Sequence, residues 1–210
     1  MNDPRQVRRG LRIGLTGGIA CGKSEVGRIL QNMGIAVLDA DDVSHELIRA
    51  GHPLFERVLS VFGRDILGAD GEVDRRILGE RVFADARKMK ELESIIHPAV
   101  VERIRTWLAG ESAAGQNAAV IVPLLHEVGL IDPWDAVICV AAPDEMAVER
   151  LRGRGFSEGQ AWARVKAQMP IGEKVGRSDY VIWNTETLAA LKKNTETVIQ
   201  DLKEKRGCYG

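Results

Sequence analysis

A glycine-rich motif near the start of the chain constrains the fold more than any other feature. The stretch IGLTGGIACGKS places Gly17, four further residues, and then Gly22, Lys23 and Ser24 directly after a short apolar run. This is the spacing of a phosphate-binding loop, in which backbone N–H groups surround a phosphate, the lysine reaches the outer phosphates and the hydroxyl binds Mg²⁺. We therefore predict a strand before the loop, a helix after it and a bound nucleoside triphosphate.

The apolar runs of the chain predict an α/β fold with parallel strands. Runs that are apolar at every position are typical of strands buried on both faces of a sheet. We expect strands at 11–16, 35–38, 118–125, 136–142 and 180–183. The segment between the second and third strands has helical spacing, and we expect Pro98 to begin one of its helices. This division predicts a nucleotide-binding core at 11–42 and 118–205, with a helical, substrate-binding insertion at 43–117.

Composition and charge exclude several classes of protein. The formal net charge of the 210 residues is −1, which argues against binding nucleic acid through its phosphates. No apolar run reaches the roughly 18 residues of a membrane span, and the first ten residues lack the apolar stretch of a secretory signal. The three cysteines show no paired spacing. We expect a cytoplasmic, monomeric protein that binds neither membrane nor nucleic acid.

Acidic residues follow the second predicted strand, at the edge where ligands bind in an open α/β sheet. If the backbone is still extended there, the side chains of Asp39 and Asp41 point to the same side. One carboxylate could then accept a proton from an attacking hydroxyl while the other holds metal-bound water. The alternative is a cluster that caps the next helix, with Asp42 as the expected capping residue. We favour a catalytic role for Asp41.

Basic residues are concentrated late in the chain. Residues 150–177 contain seven basic and two acidic side chains in a chain that is nearly neutral overall. We predict a lid there, in which Arg150 and Arg154 share one helical face and neutralise transferring phosphoryl charge. The alternative is an ordinary solvated surface, which we favour for Arg152, Lys166 and Arg177.

Other motifs narrow the class of phosphate-binding protein. A small GTPase would need Asn-Lys-x-Asp after a late strand, but Asn184 is followed by Thr185 and Glu186. A motor or transporter ATPase usually has an apolar strand ending in Asp-Glu, whereas the third strand here ends in VPLLHE. Glu127 at that strand's end is a candidate substrate residue, and His97 either contacts substrate or caps a helix. A kinase remains favoured over a regulatory ATP-binding module.

The order and spacing of the motifs resemble the dephospho-coenzyme A kinase family over about Leu11 to Leu202. The matching pieces are IGLTGGIACGKS, VLDAD, the Ile-His-Pro containing His97, VPLLHE, ERLRGR and SDYVIWN. The resemblance implies a P-loop NTPase fold with a five-stranded parallel sheet flanked by helices. It also implies ATP-dependent phosphorylation of the ribose 3′-hydroxyl of dephospho-coenzyme A.

The resemblance also assigns residues. It implies that Asp41 is the base and that the ATP loop covers Gly18 to Glu25. The other roles come from the motifs themselves: Lys23, Arg150 and Arg154 are expected to assist the transfer, and Ser24 and Asp39 to serve the metal. Together with Gly17 of the motif, the expected nucleotide contacts are Gly17, Gly18, Ile19, Ala20, Cys21, Gly22, Lys23, Ser24 and Glu25. The nearest alternative is a kinase for another small hydroxyl compound or a nucleoside monophosphate.

The chain departs from the family pattern at several positions. The family usually has Gly-Ser where this chain has Ala20 and Cys21, and we expect the backbone at Ala20 to be one that an L-residue tolerates. Cys21 is either a thiol of low pKa at a helix start or only a small side chain. His126 replaces a usually apolar residue, and Ser178 replaces a usual alanine.

Overall fold

The computed structural model describes residues 9–83, 85–130 and 134–208. The strands in these ranges are β1 (Arg12–Gly17), β2 (Ala36–Asp39), β3 (Ala118–Ile121), β4 (Ala136–Ala141) and β5 (Tyr180–Trp183). The helices are α1 (Lys23–Asn32), α2 (Ala40–Leu47), α3 (Pro53–Phe62), α4 (Arg75–Phe83), α5 (Ala86–Ala113), α6 (Asp144–Arg152), α7 (Glu158–Lys166), α8 (Ile171–Gly176) and α9 (Leu188–Cys208). The expectation that the chain lacks a secretory signal concerns its first residues, and residues 1–8 lie outside these ranges.

The five strands form one parallel sheet, as predicted, and their order in it is β2-β3-β1-β4-β5. Leu15 of β1 lies opposite Ile121 on one side and Ile138 on the other. Leu15 and Ile138 are fully buried, because helices cover both faces of the sheet. Parallel strands place their carboxyl ends at one edge, so the segments that follow β1, β3, β4 and β5 converge there.

Helix α1 begins directly after the glycine-rich loop. Its N-cap is Gly22, and Val26, Ile29 and Leu30 form its buried face against the sheet. The helix ends at Asn32, and the left-handed glycine Gly34 follows its C-cap before the chain enters β2. The local pattern of apolar residues and glycine therefore predicts the strand–loop–helix–strand unit within one or two residues at each end.

The chain forms two compact units. Residues up to Leu38 and from Leu108 onward form the unit that contains most of the sheet, and Asp39–Trp107 form the other. Helices dominate the second unit, and Val58, Ile66 and Ile104 are among its most deeply buried residues. This is the region in which the sequence predicts a helical insertion.

The expectation that Pro98 begins a helix is wrong. Pro98 lies inside the long helix α5, although proline in a helix interior removes one backbone hydrogen bond and costs about 3 kcal/mol. Ile95 and Ile96 before the proline, and Val100 and Ile104 after it, are all buried. Burial of this apolar stripe on both sides of Pro98 favours a continuous helix despite the local penalty.

The segment predicted to form a lid contains two short helices. Helix α7 begins with a capping box, in which the Ser157 hydroxyl accepts from the Gln160 N–H and the Gln160 side chain accepts from the Ser157 N–H. It ends at Lys166. The backbone before Pro170 is restricted away from helical angles, and α8 begins after this proline.

No helix within the described residues has both the length and the hydropathy needed to cross a membrane.

Candidate active site

The glycine-rich loop lies between the end of β1 and the start of α1, in the predicted context. Two of its glycines are required by close contacts. Gly17 has φ 146°, and a Cβ there would lie 2.1 Å from the carbonyl oxygen of Val140. Gly22 has φ 103°, and a Cβ there would lie 2.4 Å from Nδ2 of Asn184. Both positions have backbone angles that side chains rarely adopt, so glycine lets the loop pack against β4 and the end of β5.

Lys23 lies along the loop that precedes it. Its Nζ donates hydrogen bonds to the carbonyl oxygens of Gly17 (2.9 Å) and Gly18 (2.8 Å). The first backbone N–H groups of α1 have no partner within the helix and carry partial positive charge. The ammonium and these amides together make the loop suited to bind the phosphates of a nucleotide.

The first turn of α1 carries the predicted metal ligand. Ser24 is exposed there, and its hydroxyl oxygen is the kind of hard ligand that Mg²⁺ binds. The next residue, Glu25, pairs with Arg28 one turn along the helix, and this hydrogen bond holds the pKa of the Glu25 carboxyl below its usual value. In this structure the Glu25 side chain therefore contacts Arg28 of the same helix.

The two departures inside the loop have different consequences. Ala20 has φ 56°, in the small left-handed region that L-residues tolerate at a cost. Cys21 is buried, and this burial raises the pKa of its thiol above the usual value despite the nearby charges of Lys23 and Arg150. Cys21 is therefore not a low-pKa thiol, and it acts as a small packing residue.

Arg150 in α6 contacts the loop directly. Its guanidinium donates to the carbonyl oxygens of Ala20 (3.2 Å) and Asn184 (2.8 Å). The expectation that Arg154 shares a helical face with Arg150 is wrong, because α6 ends at Arg152 and Gly153 follows. Arg154 is exposed beyond the end of that helix. The structure thus places Arg150, and not Arg154, against the phosphate loop.

Two further loop contacts were not predicted from the sequence. The Asn184 side chain donates from Nδ2 to the carbonyl oxygen of Cys21 (2.9 Å). Oε1 of Gln168 accepts a hydrogen bond from the Ile19 N–H (2.8 Å). The position of Asn184 at the carboxyl end of β5 is a signal that could have identified it. Gln168 lies between two short helices and carries no such signal.

The acidic residues after β2 form a helix cap. The carboxylate of Asp39 accepts a hydrogen bond from the Asp41 N–H (2.9 Å), so Asp39 and not Asp42 is the capping residue of α2. The backbone is extended at Asp39 but helical at Asp41. The predicted pair of carboxylates on one side of an extended strand is therefore wrong. Asp41 is exposed in the first turn of α2, where helical N–H groups favour its negative charge.

Glu127 forms an ion pair with a buried lysine. Its Oε1 lies 2.8 Å from Nζ of Lys174, whose side chain is fully buried, and accepts from the Met169 N–H (3.1 Å). Lys174 also donates to the carbonyl oxygen of Pro123 (2.8 Å). The second candidate substrate residue, His97, is partly exposed in the middle of α5. Direct contact of either residue with substrate stays a prediction.

The donor set fits Mg²⁺ held mainly through a nucleotide. Across the described ranges, no group of three or more His, Cys, Asp or Glu side chains could hold a metal ion. Mg²⁺ in kinases commonly takes one or two protein oxygens, with water and substrate phosphates completing its coordination. The hydroxyl of Ser24 and the carboxylate of Asp39 are oxygen donors of this type. The donor type of each residue is compatible with the Mg²⁺ that the phosphate-loop motif implies.

Comparison with known proteins agrees with this geometry. The sequence model of the dephospho-CoA kinase family matches residues 11–190. The dephospho-CoA kinase of Carboxydothermus hydrogenoformans is 41% identical over 195 residues, which cover 92% of this chain and 95% of that protein.

Solved structures give the same result. The crystal structure of TT1252 from Thermus thermophilus has a TM-score of 0.77 and 32% identity, and the match covers 92% of this chain and 98% of that one. The dephospho-CoA kinase from Campylobacter jejuni has a TM-score of 0.63 and 28% identity, and the match covers 91% and 96%.

Proposed function

The chain belongs to the dephospho-CoA kinase family, and we propose that it transfers the terminal phosphoryl group of ATP to the ribose 3′-hydroxyl of dephospho-coenzyme A. The products are coenzyme A and ADP, and the reaction is the last step of coenzyme A biosynthesis. The observation that carries this proposal is the family match over residues 11–190, which includes the phosphate loop with Lys23 folded along it.

The phosphate loop binds the donor in this proposal. The N–H groups at the start of α1 and the Lys23 ammonium attract the outer phosphates. Ser24 and Asp39 would hold Mg²⁺, which when bound neutralises phosphate charge. The contacts of Arg150 with Ala20 and Asn184 keep its guanidinium beside the loop, where it supports the same charge. Arg154 would act from the lid.

Asp41 supplies the acid–base chemistry. The 3′-hydroxyl oxygen forms a bond to the γ-phosphorus, the bond from that phosphorus to the ADP oxygen breaks, and the hydroxyl proton passes to the Asp41 carboxylate. Exclusion of water by the lid at about 150–177 and the insertion at 43–117 protects ATP from hydrolysis. His97 and Glu127 are the proposed substrate residues of these segments.

A direct transfer assay tests the function. Purified protein, ATP and Mg²⁺ are incubated with dephospho-coenzyme A, and the product is examined for a 3′-phosphate. Shikimate, gluconate, AMP, UMP and CMP serve as alternative acceptors. We expect phosphorylation of dephospho-coenzyme A alone. Faster transfer to another acceptor would replace the proposed substrate, and tight ATP binding without any transfer would indicate a regulatory module.

Lys23→Ala tests the loop. Loss of a preorganised charge at transferring phosphate typically costs on the order of 10²-fold or more in rate, and we expect kcat/KM to fall by that much. Lys203→Ala is the matched control, because Lys203 is an exposed lysine on the last helix. Equal kcat/KM for the two variants would contradict the role of Lys23.

The state of the protein in the cell is also proposed. We propose a cytoplasmic monomer that binds only the small molecules ATP and dephospho-coenzyme A. Light scattering coupled to size exclusion measures the mass in solution, for which the chain alone would give 23.0 kDa. A mass of twice that value would contradict the monomer.

A further inference from the structure

A side chain distant in sequence holds the phosphate loop. The Ile19 N–H donates to Oε1 of Gln168 (2.8 Å), although the two residues are 149 positions apart. Ile19 lies inside the loop between β1 and α1, where N–H groups are available to phosphate. Gln168 lies between α7 and α8, in the predicted lid. One peptide of the loop is thus oriented by a side chain from outside it.

The backbone beside Gln168 is itself held by an ion pair between Glu127 and the buried Lys174. The Met169 N–H donates to Oε1 of Glu127 (3.1 Å), and Nζ of Lys174 lies 2.8 Å from the same oxygen. The Lys174 side chain is 0% exposed and also donates to the carbonyl oxygen of Pro123. An ammonium buried this deeply requires a paired carboxylate. Glu127 therefore joins the segment after β3 to the segment that carries Gln168.

A cavity adjoins this contact. It has a volume of about 230 Å³ and is lined by both Ile19 and Gln168, together with Gly18 and Met169. The contact between Ile19 and Gln168 therefore lies beside open volume.

We propose that Gln168 is a positioning residue of the phosphate loop, aligned by the Glu127–Lys174 pair, and that it orients the Ile19 peptide before nucleotide binds. A loop that is already ordered loses less entropy on binding, so affinity for the nucleotide increases. The effect on catalysis rests on the proposed kinase function, whereas the effect on the loop does not.

The Gln168→Met variant tests the proposal. Methionine keeps the length of the side chain, but its thioether sulfur is only a weak acceptor in place of the amide oxygen. Hydrogen exchange of the Ile19 amide, followed by NMR without nucleotide, should become about 5- to 10-fold faster, the equivalent of one lost hydrogen bond. The KM for ATP should rise about 3- to 10-fold with a smaller change in kcat. Gln168→Glu keeps an acceptor and should restore the protection of Ile19.

A second variant tests the ion pair. Replacement of Lys174 alone or Glu127 alone endangers folding, so the double variant Glu127→Gln with Lys174→Met removes both charges together. We expect faster exchange at Ile19 here too. The matched control is Lys192→Met with Glu196→Gln, which removes an exposed i,i+4 pair on α9 and should leave Ile19 unchanged.

The two proposals fail in different ways. The positioning role would be overturned if Gln168→Met left the exchange rate of the Ile19 amide unchanged. It would also be overturned if Gln168→Glu lost the protection of that amide. Either result would count even if the protein phosphorylates dephospho-coenzyme A. A different acceptor in the transfer assay would overturn the proposed substrate, while faster Ile19 exchange and weaker ATP binding would still support the positioning role.

Discussion

Nε2 of His126 lies 3.0 Å from the hydroxyl oxygen of Ser178. The Ser178 hydroxyl donates its own proton to the carbonyl oxygen of Lys174 (2.8 Å), so the imidazole is the donor in the His126–Ser178 contact. These are the two positions outside the phosphate loop at which the chain is expected to depart from the usual residues of the family, an apolar residue and an alanine. The two departures are partners of each other, and they join the segment after β3 to the end of α8.

A double-mutant cycle should detect this pairing. His126→Phe and Ser178→Ala each remove one partner of a partly buried hydrogen bond, and each should lower the free energy of unfolding by about 0.5–1.5 kcal/mol. The double variant should lose less than the sum, because the bond is lost only once. Urea unfolding measures the three differences. Strictly additive losses would show that the contact contributes no coupling energy.

The free energy of unfolding should decrease as the pH is lowered, because His126 becomes protonated. Burial holds the pKa of its imidazole below the ordinary value, Lys174 and Arg177 lower it further, and Glu127 opposes them. The unfolded chain therefore binds this proton first, and stability decreases as pH falls below about 6.5. His126→Phe should reduce the loss of Tm between about pH 7.5 and about pH 5.5. If the variant loses as much Tm as the parent protein, His126 is not the cause of the pH dependence. His45, whose pKa is also lowered, would then be the remaining candidate.

Ala20→Gly should stabilise the protein. The left-handed angle of Ala20 costs an L-residue roughly 1–2 kcal/mol, and glycine avoids this cost but loses more entropy on folding. We expect a gain of about 0.5–1 kcal/mol in the free energy of unfolding. Ala163→Gly is the control, because Ala163 is exposed inside α7 and should lose about 0.5–1 kcal/mol. Loss of stability in both variants would contradict the strain at Ala20.

Asp41→Asn should lower kcat with little change in ATP affinity. The substitution keeps the size of the side chain but removes the carboxylate that accepts the proton. Asp42→Asn is the matched control, since Asp42 is the next residue, is also exposed in the first turn of α2 and loses the same charge. Full turnover in Asp41→Asn, or an equal loss in both variants, would show that Asp41 is not the base.

The core of the fold could be predicted because its signals are local. The Gly17–Ser24 spacing, the apolar residues of α1 and the glycine at position 34 determine a strand–loop–helix–strand unit over fewer than thirty residues. Predictions failed where burial outweighed a local preference. Pro98 looks like a helix start by itself, but apolar residues on both sides of it keep α5 continuous.

The acidic residues after β2 show the same limit. The sequence identifies a carboxylate cluster at the binding edge, but the choice of capping residue depends on where the helix begins. The backbone of Asp39 is extended and that of Asp41 is helical, so Asp39 caps α2. A shift of three residues in the expected capping position is within the usual error of helix boundaries read from a pattern.

By itself the sequence determined the order of elements, the phosphate loop and the family, because these follow from short-range spacing and from matches along the whole chain. Only the tertiary structure decided which distant side chains support that loop. Gln168 meets Ile19 across 149 positions, and Asn184 meets Cys21 across 163. Hydrogen bonds of this kind depend on where parallel strands bring their carboxyl ends together, and no pattern of neighbouring residues records that geometry.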